Sequence, residues 1–404
     1  MTATAPAAPD RRPSLLEAVD GLLVRRVSMR SLALLRVLVG PVTLLHLRPF
    51  VVDAAGGRIY RDAFYEPYAS WYPELPRPLY GTMLVVGVVA AVAMSVGLCT
   101  RVATTVTFGV VAYNLFLSTT HVHSNRAYLV IVLAVLTITP CGRELSVDAW
   151  IRARRGLPPL EPRAPAWPLW LLRFEAAVVY GASGLSKLVD PDWFGGTVTW
   201  HRIVQVRDRL EASPLPGWMV SLLADRSFHT VAAKLIVLTE LFIAVGLWWR
   251  ATRYAAVWVA VFFHVAIEVS ASVQVFSYLA IAALVIWAVP STRERMVVID
   301  PGNPRHRRLA PLIGGLDWLA RFRVVDGATG APLGLVDRDG VVSTGVPALA
   351  RVLSRLPLTA WFALPTLVLP AVRRSRRHPD PGRAHRAGDG RRADRPGVAA
   401  GGPR

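Results

Sequence analysis

With 404 residues, 53% hydrophobic and only 18% charged, the chain is too apolar for an ordinary soluble protein, and its apolar residues fall in long runs. The formal net charge of +19 has the sign that suits nucleic acid. Its positive residues instead flank apolar runs or fill the C-terminal tail, so no nucleic-acid partner is expected.

Residues 1–15 are Pro/Ala-rich and read as disordered, with no cleavable signal peptide. A membrane span needs roughly 20 apolar residues, and about eight such stretches follow. They are Ser31–Phe50, Leu79–Cys99, Thr104–Thr120, Ala127–Cys141, Trp167–Leu188, Thr230–Trp249, Tyr254–Val269 and Val273–Val289. The arginines cluster at alternate ends: Arg25, Arg26 and Arg30 before the first stretch, Arg101 after the second, Arg143 to Arg155 after the fourth, Arg250 and Arg253 after the sixth, Arg293 and Arg295 after the eighth. By the positive-inside rule both termini are cytoplasmic in a multi-pass plasma-membrane protein, and loops 51–78, 121–126, 189–229 and 270–272 face outside. Cys99 and Cys141 then sit at the reducing cytoplasmic face, where no disulfide is expected; neither has the spacing of a metal site, and no metal is expected.

Titratable residues within spans cost about 2.5–3.5 kcal/mol each on insertion scales, so each calls for a partner or a role. The set is Arg36, His46, Arg173, Glu175, Lys187, Lys234, Glu240, His264 and Glu268. Arg173 and Glu175 read as snorkelling or paired residues near the cytoplasmic end. Glu240 reads as a scaffold partner of Arg36 or Arg173. His264 and Glu268, one turn apart, read as a polar cluster or a satisfied core histidine.

Lysine usage singles out Lys187. Among 46 basic side chains only Lys187 and Lys234 are lysines, in a chain that otherwise writes arginine for positive charge. Arginine does not deprotonate, whereas a desolvated lysine can release its proton and act as a base. Small residues Gly181 to Gly184 precede it and allow close helix approach. Asp190-Pro191-Asp192 then ends the helix, and Trp193 and Phe194 suit the membrane interface. The amine therefore lies near the outer surface, where a lipid-soluble substrate can enter from the bilayer.

At these residues the chain resembles the vitamin K-dependent gamma-carboxylases and their bacterial relatives with an HTTM (horizontally transferred transmembrane) domain. The likeness covers about residues 16–290 and rests on ordered signals: Arg36 to Gly40, Asn125 to Leu129, Leu145 to Asp148, Tyr180 to Trp193, Phe263-His264 and Phe276-Ser277-Tyr278. The resemblance implies that Lys187 is the general base toward a reduced quinone, reduced vitamin K or menaquinol, with His264 and Asn125 completing the catalytic set. Arg126, Tyr180, Asp192, Trp193 and Tyr278 are the implied substrate-binding residues. Where the animal enzyme carries a histidine that assists the lysine, this chain has Arg126, a fixed cation. The large outer region that grips the propeptide of animal substrates has no counterpart, so quinol chemistry or quinone binding is expected in place of animal-type carboxylation.

Beyond Ser291 the pattern turns soluble. Strands are predicted at 296–300, 322–325 and 333–337 and helices at 304–320 and 344–356, an α/β order. Residues 294–372 resemble the thioredoxin-like DCC (DUF393) family, whose Asp-Gly-x-Cys-Pro-x-Cys motif falls at Asp300-Pro301-Gly302-Asn303-Pro304-Arg305-His306. Asn303 and His306 replace both thiols, so dithiol exchange is excluded and a structural or partner-recruiting role is expected. The apolar run Trp361–Val372 is short for a span and is assigned to this module or the membrane surface. The tail 373–404 is basic, reads as disordered and suits anionic lipid.

The expected architecture is an all-α polytopic membrane bundle of about eight spans followed by a small thioredoxin-like α/β domain. The expected partners are membrane lipid or quinone and a protein bound by the second domain. Two functions follow: quinol-dependent oxygenation or carboxylation as a lyase, or non-catalytic quinone or lipid binding. A transporter lacks support, since no inverted repeat or broken helix is evident.

Overall fold

Ser14 opens the first helix, α1 (Leu15–Val24), through a capping box: its hydroxyl accepts the Glu17 N–H, and the Glu17 carboxylate accepts the Ser14 N–H. None of its residues is buried. The computed structural model describes residues 14–58, 66–212, 214–271, 275–288, 293–360 and 376–377. Most of the expected disordered N-terminus, the run 361–372 and most of the tail lie outside these residues.

The chain divides into two units, Met1–Val289 and Pro290–Arg404. In the first, a short antiparallel pair joins β1 (Arg26–Ser28) to β2 (Arg163–Pro165). Eight helices follow the eight predicted apolar stretches: α2 (Arg30–Ala55), α3 (Arg77–Val96), α4 (Thr100–Phe116), α5 (Ser124–Ile138), α7 (Trp167–Val189), α12 (Arg226–Gly246), α13 (Arg253–Ala271) and α14 (Val275–Ala283). The eighth stretch is not α-helical throughout, for it tightens to a 3₁₀ turn over Leu284–Trp287. Among the described residues, α2, α3 and α12 are long and apolar enough to cross a membrane by themselves; α5 and the segment Val275–Trp287 are shorter apolar helices. α7 is long enough but carries Arg173, Glu175 and Lys187. On α3, Val85, Val89, Val92 and Val96 are all exposed at three- and four-residue spacing, a stripe that suits lipid rather than water.

Smaller helices connect these: α6 (Val147–Arg154), α8 (Pro191–Phe194), α9 (Thr197–Gln205), α10 (Arg207–Glu211) and α11 (Gly217–Ala224). α2 packs on α3, α3 on α4 and α4 on α5; α7 packs on α12, and α12 on α13; α14 lies against α2 and α5.

Buried Arg36 ties the first group together. Its guanidinium donates to the carbonyls of Met94, Ser95 (2.7 Å), Leu145 (2.6 Å) and Cys141 (3.4 Å), the free ends of α3 and of the segment after α5. Asp148 does related work at the start of α4, accepting the N–H groups of Cys99 and Thr100 at 2.8 Å and the Thr100 hydroxyl at 2.6 Å. Arg36 therefore does not pair with Glu240. Neither does Arg173, whose guanidinium donates to the Ile286 carbonyl at 2.9 and 3.1 Å and packs on the rings of Trp170 and Trp287. The 3₁₀ turn frees that carbonyl for capture.

The second unit runs β3 (Arg295–Ile299), α15 (Pro304–Leu316), β4 (Phe322–Asp326), β5 (Gly334–Val336), β6 (Val341–Thr344), α16 (Val346–Leu353) and β7 (Arg376–Arg377). β3 pairs in parallel with β4, and the antiparallel β5–β6 hairpin lies on its other side, giving the order β4-β3-β5-β6-β7. Strand β6 is not anticipated by the sequence pattern, which starts a helix at 344; four residues carry too little alternation to register. Val297, Leu335, Ala348, Val352 and Leu356 form the center of this core. In the loop that matches the dithiol motif, Asn303 caps α15 by accepting the Arg305 N–H at 2.9 Å, and His306 Nδ1 accepts the Asp300 N–H at 3.1 Å. Both positions serve the backbone.

Candidate functional site

One face of α7 presents Glu175, Val178, Val179, Ala182, Ser183, Ser186 and Lys187, a three- and four-residue recurrence that brings them to one side of the helix. That face, with His229, Ile236 and Glu240 of α12, Phe263 and His264 of α13, and Asn125 and Tyr128 of α5, encloses a cavity of about 900 Å³. Most of its wall is aliphatic or aromatic, and the polar groups concentrate at a few points. Gly184 brings α7 and α12 close: a Cβ there would lie 3.0 Å from Leu241 Cδ2 and 3.3 Å from Glu240 Cβ. The small-residue stretch before the lysine thus works as expected, and it sets Glu240 opposite Lys187.

Lys187 Nζ lies 2.6 and 2.8 Å from the two oxygens of Glu240 and 2.6 Å from the Ser183 hydroxyl, which itself donates to Glu240 Oε1 at 3.0 Å. Three acceptors meet the three hydrogens of an ammonium. The lysine and glutamate side chains are 14% and 6% exposed, so the charges are largely desolvated and compensate each other. The Trp193 ring covers the amine, with Nζ 5.0 Å from its centroid, and Arg202 of α9 approaches the same ring at 5.7 Å. Asp190 holds the tryptophan in place by accepting the N–H groups of Asp192 and Trp193 at the start of α8.

One helical layer deeper, the Tyr180 hydroxyl and His264 Nε2 are 2.7 Å apart, and His264 Nδ1 has no hydrogen-bond partner among the described residues. A neutral imidazole and a phenol hold two polar hydrogens between them, and their contact uses one. The other is left on Nδ1 or on the Tyr180 hydroxyl. In the second arrangement the hydroxyl is free to donate to a ligand oxygen in the cavity. At the start of α12, His229 Nε2 donates to the Leu223 carbonyl at 2.7 Å. Its backbone packs on Gly196, whose φ of +83° and lack of Cβ permit an approach that a Cβ would block, at 2.5 Å from the His229 carbonyl.

Of the residues expected from sequence, Lys187, His264, Asn125, Tyr180 and Trp193 line this cavity together. Three do not. Arg126, about 100° further round α5 than Asn125, donates to the His121 carbonyl at 3.3 Å and lies over the Phe50 ring at 5.7 Å. Asp192 is exposed on α8, and Tyr278 is exposed on α14 while Phe276, two residues earlier, faces the cavity. The sequence pattern missed Ser183, Arg202 and His229, read the cavity-lining Glu175 as a snorkelling or paired residue, and misassigned the partner of Glu240. Ser183 lies one turn before Lys187 and was legible from that spacing; the pairing of Glu240 across 53 positions left no local signal. Among the described residues no group of three His, Cys, Asp or Glu side chains is arranged to hold a metal ion.

No curated protein and no solved structure matches this chain. The family model of the HTTM domain matches residues 24–291, the span of the whole first unit apart from its extreme N-terminus. The membrane character of the helices, the ordered motifs on them and this match lead to one conclusion: the chain belongs to the HTTM domain family, and it is a membrane protein.

Proposed function

We propose that the cavity binds a lipid-soluble reduced naphthoquinone, reduced vitamin K or menaquinol, and that the Lys187–Glu240 pair handles its hydroxyl proton in a gamma-carboxylase-like oxygenation or carboxylation. The observation that carries this reading is the juxtaposition of a desolvated lysine–glutamate pair with a large apolar cavity that a ring and part of an isoprenoid chain can fill. Tyr180, His264 and Asn125 supply hydrogen-bonding groups for the ring oxygens, and Trp193 closes over the amine. The resemblance to the vitamin K-dependent gamma-carboxylases names Lys187 as the base. In this reading the bundle has about eight spans with both termini cytoplasmic, in the plasma membrane, as the arginine-flanked ends support. The second unit is a thioredoxin-like, DCC-type domain. A parallel β–α–β followed by an antiparallel hairpin and a helix supports that fold, and loss of both thiols leaves it a partner-recruiting role.

A second reading is a non-catalytic quinone- or lipid-binding protein. It is favoured by the position of Arg126, which stands where the animal enzyme has its assisting histidine yet turns away from the cavity. One experiment separates the two. Purified protein is supplied with reduced menaquinone, oxygen and bicarbonate, and the products are resolved by chromatography. Wild type is expected to form quinone epoxide and Lys187→Ala none; equal yields from the two would overturn the catalytic reading, and binding without epoxide supports the second.

A further inference from the structure

We infer that α1 is an in-plane membrane anchor, its apolar face sunk between the headgroups and acyl chains of the leaflet on the arginine-rich side of the bundle. The inference is independent of what the cavity binds. It concerns residues that lie, but for Val24, ahead of the matched family region.

Each residue of a helix advances the chain by about 1.5 Å and turns it by about 100°. On that wheel Leu22, Leu15, Val19, Leu23 and Leu16 fall within an arc of about 120°, while Glu17, Asp20 and Gly21 occupy the opposite side. The stripe is apolar enough for a core, yet no residue of α1 is buried, and Leu15 and Leu16 are each 81% exposed. Five large apolar side chains on one face call for a cover other than water. A second copy of the chain is a poor one, since a strip of helix about 15 Å long and about 10 Å wide falls far short of the roughly 800 Å² per partner of a standard interface.

Lipid is the occupant that the neighbouring structure dictates. Only the link from Arg25 to Met29 separates α1 from α2, a helix long and apolar enough to cross a membrane. Within that link β1 pairs with β2, and the Met29 N–H donates to the Pro162 carbonyl at 3.0 Å. Because β2 leads directly into α7, α1 is held beside the starts of both α2 and α7, and it touches α7 itself. That level carries the marks of a membrane interface. Trp167 opens α7 and is exposed, Trp248 just past α12 stacks on Trp170, and the adjoining Trp249 is exposed. Trp150 on α6 is exposed as well, with Arg154 over its ring at 5.0 Å. Arg25 and Arg26 add positive charge where α1 ends, which suits anionic headgroups, while the arc of Glu17 and Asp20 is left to water.

The test uses the full chain with Cys99→Ser, reconstituted into vesicles of phosphatidylcholine and phosphatidylglycerol. A nitroxide is attached through cysteine substitution at successive positions from Leu15 to Val24; the remaining Cys141 is buried. Collision with oxygen, which concentrates among acyl chains, is expected to peak at Leu16, Val19 and Leu23. Collision with a water-soluble nickel chelate is expected to peak at Glu17, Asp20 and Gly21, the two profiles running out of phase with a period of about 3.6 residues. High nickel collision all round would place α1 in water. Low collision with both reagents on the apolar arc would place it under protein, either a second copy or another segment of this chain. Either result overturns the anchor. A second variant probes the same face: since α1 buries no residue, Leu16→Glu/Leu23→Glu is expected to leave thermal unfolding in detergent unchanged. In vesicles it should abolish the oxygen-rich signal of a label at Val19. A lowered unfolding temperature, or an unchanged signal at Val19, overturns the assignment.

Discussion

Arg36 and Lys187 are both basic residues of the helical bundle, the first fully buried and the second largely so, and their surroundings differ sharply. Arg36 is fully buried and donates to main-chain carbonyls of two segments, the end of α3 and the stretch after α5. Lys187 has a carboxylate, a hydroxyl and an aromatic ring as partners, and one side of that cluster opens on a large apolar cavity. Carbonyl dipoles cannot take up a proton, so the first arrangement is a permanent brace. A lysine–glutamate pair has a mobile proton and two charge states of low net charge, so the second is equipped for chemistry. Arginine suits the first because its planar fork reaches several carbonyls at once, and lysine suits the second because its charge is compact.

The contrast can be tested where it predicts the largest loss. Arg36→Ala leaves the carbonyls of Met94, Ser95, Cys141 and Leu145 buried without that donor. At about 1 kcal/mol or more for each, the expected destabilisation is about 4 kcal/mol or more, read as loss of the monodisperse peak in size-exclusion chromatography. Arg36→Lys should rescue little of it, because one ammonium cannot span four carbonyls. Rescue by lysine would place Arg36 in the same category as Lys187.

Next in size is the ion pair. Lys187→Met or Glu240→Leu alone strands one buried charge and should lower stability by about 3–5 kcal/mol. The double variant Lys187→Met/Glu240→Leu should recover most of that in thermal unfolding while abolishing any quinol chemistry. Such a result means that the pair is retained for what it does rather than for what it holds together. A double variant as unstable as the singles would make Lys187 a brace like Arg36.

The smallest effect concerns Asp148, in the first turn of α6 outside the predicted spans, which caps α4 beside the Arg36 brace. Burial by itself raises its pKa, but the Thr100 hydroxyl, the N–H groups of Thr100 and Cys99, and the Arg36 charge outweigh this and hold it below the usual carboxylate range. A group whose pKa is depressed by folding contributes stability above its unfolded value, about 3.9, and loses it as pH falls through the folded value. Stability should therefore decline on acidification below about pH 4. Asp148→Asn should cost about 1 kcal/mol near neutrality and flatten that acid limb in pH-dependent thermal melts. An unchanged acid limb would assign the titration to other carboxylates.

The ordered motifs that carry the family resemblance divide along the same line. Arg36 to Gly40 and Leu145 to Asp148 belong to the brace: Arg36 and Asp148 bind backbone, and Gly40 sits so close to Ser95 that any side chain would collide with it. Tyr180 to Trp193, Asn125 and His264 belong to the cavity. In the second unit the sequence pattern marks the β–α–β beginning, but β6 and the backbone duties of Asn303 and His306 emerge only in the folded loop.

What the sequence by itself determined is local: where apolar runs make helices, where Asp190 and Pro191 stop one, and that a chain so rich in arginine keeps a lysine at position 187. Hydrophobic period and end signals suffice for these because each depends on neighbours within a turn or two. Tertiary structure alone decided the partners. It set Glu240 against Lys187 rather than against an arginine, sent Arg36 and Arg173 to carbonyls, and turned Arg126 and Tyr278 away from the cavity that Asn125 and Phe276 line. The reason is geometric. One residue along a helix turns a side chain by about 100°, so which groups meet depends on the rotation and contact of whole helices, such as the close approach allowed at Gly184.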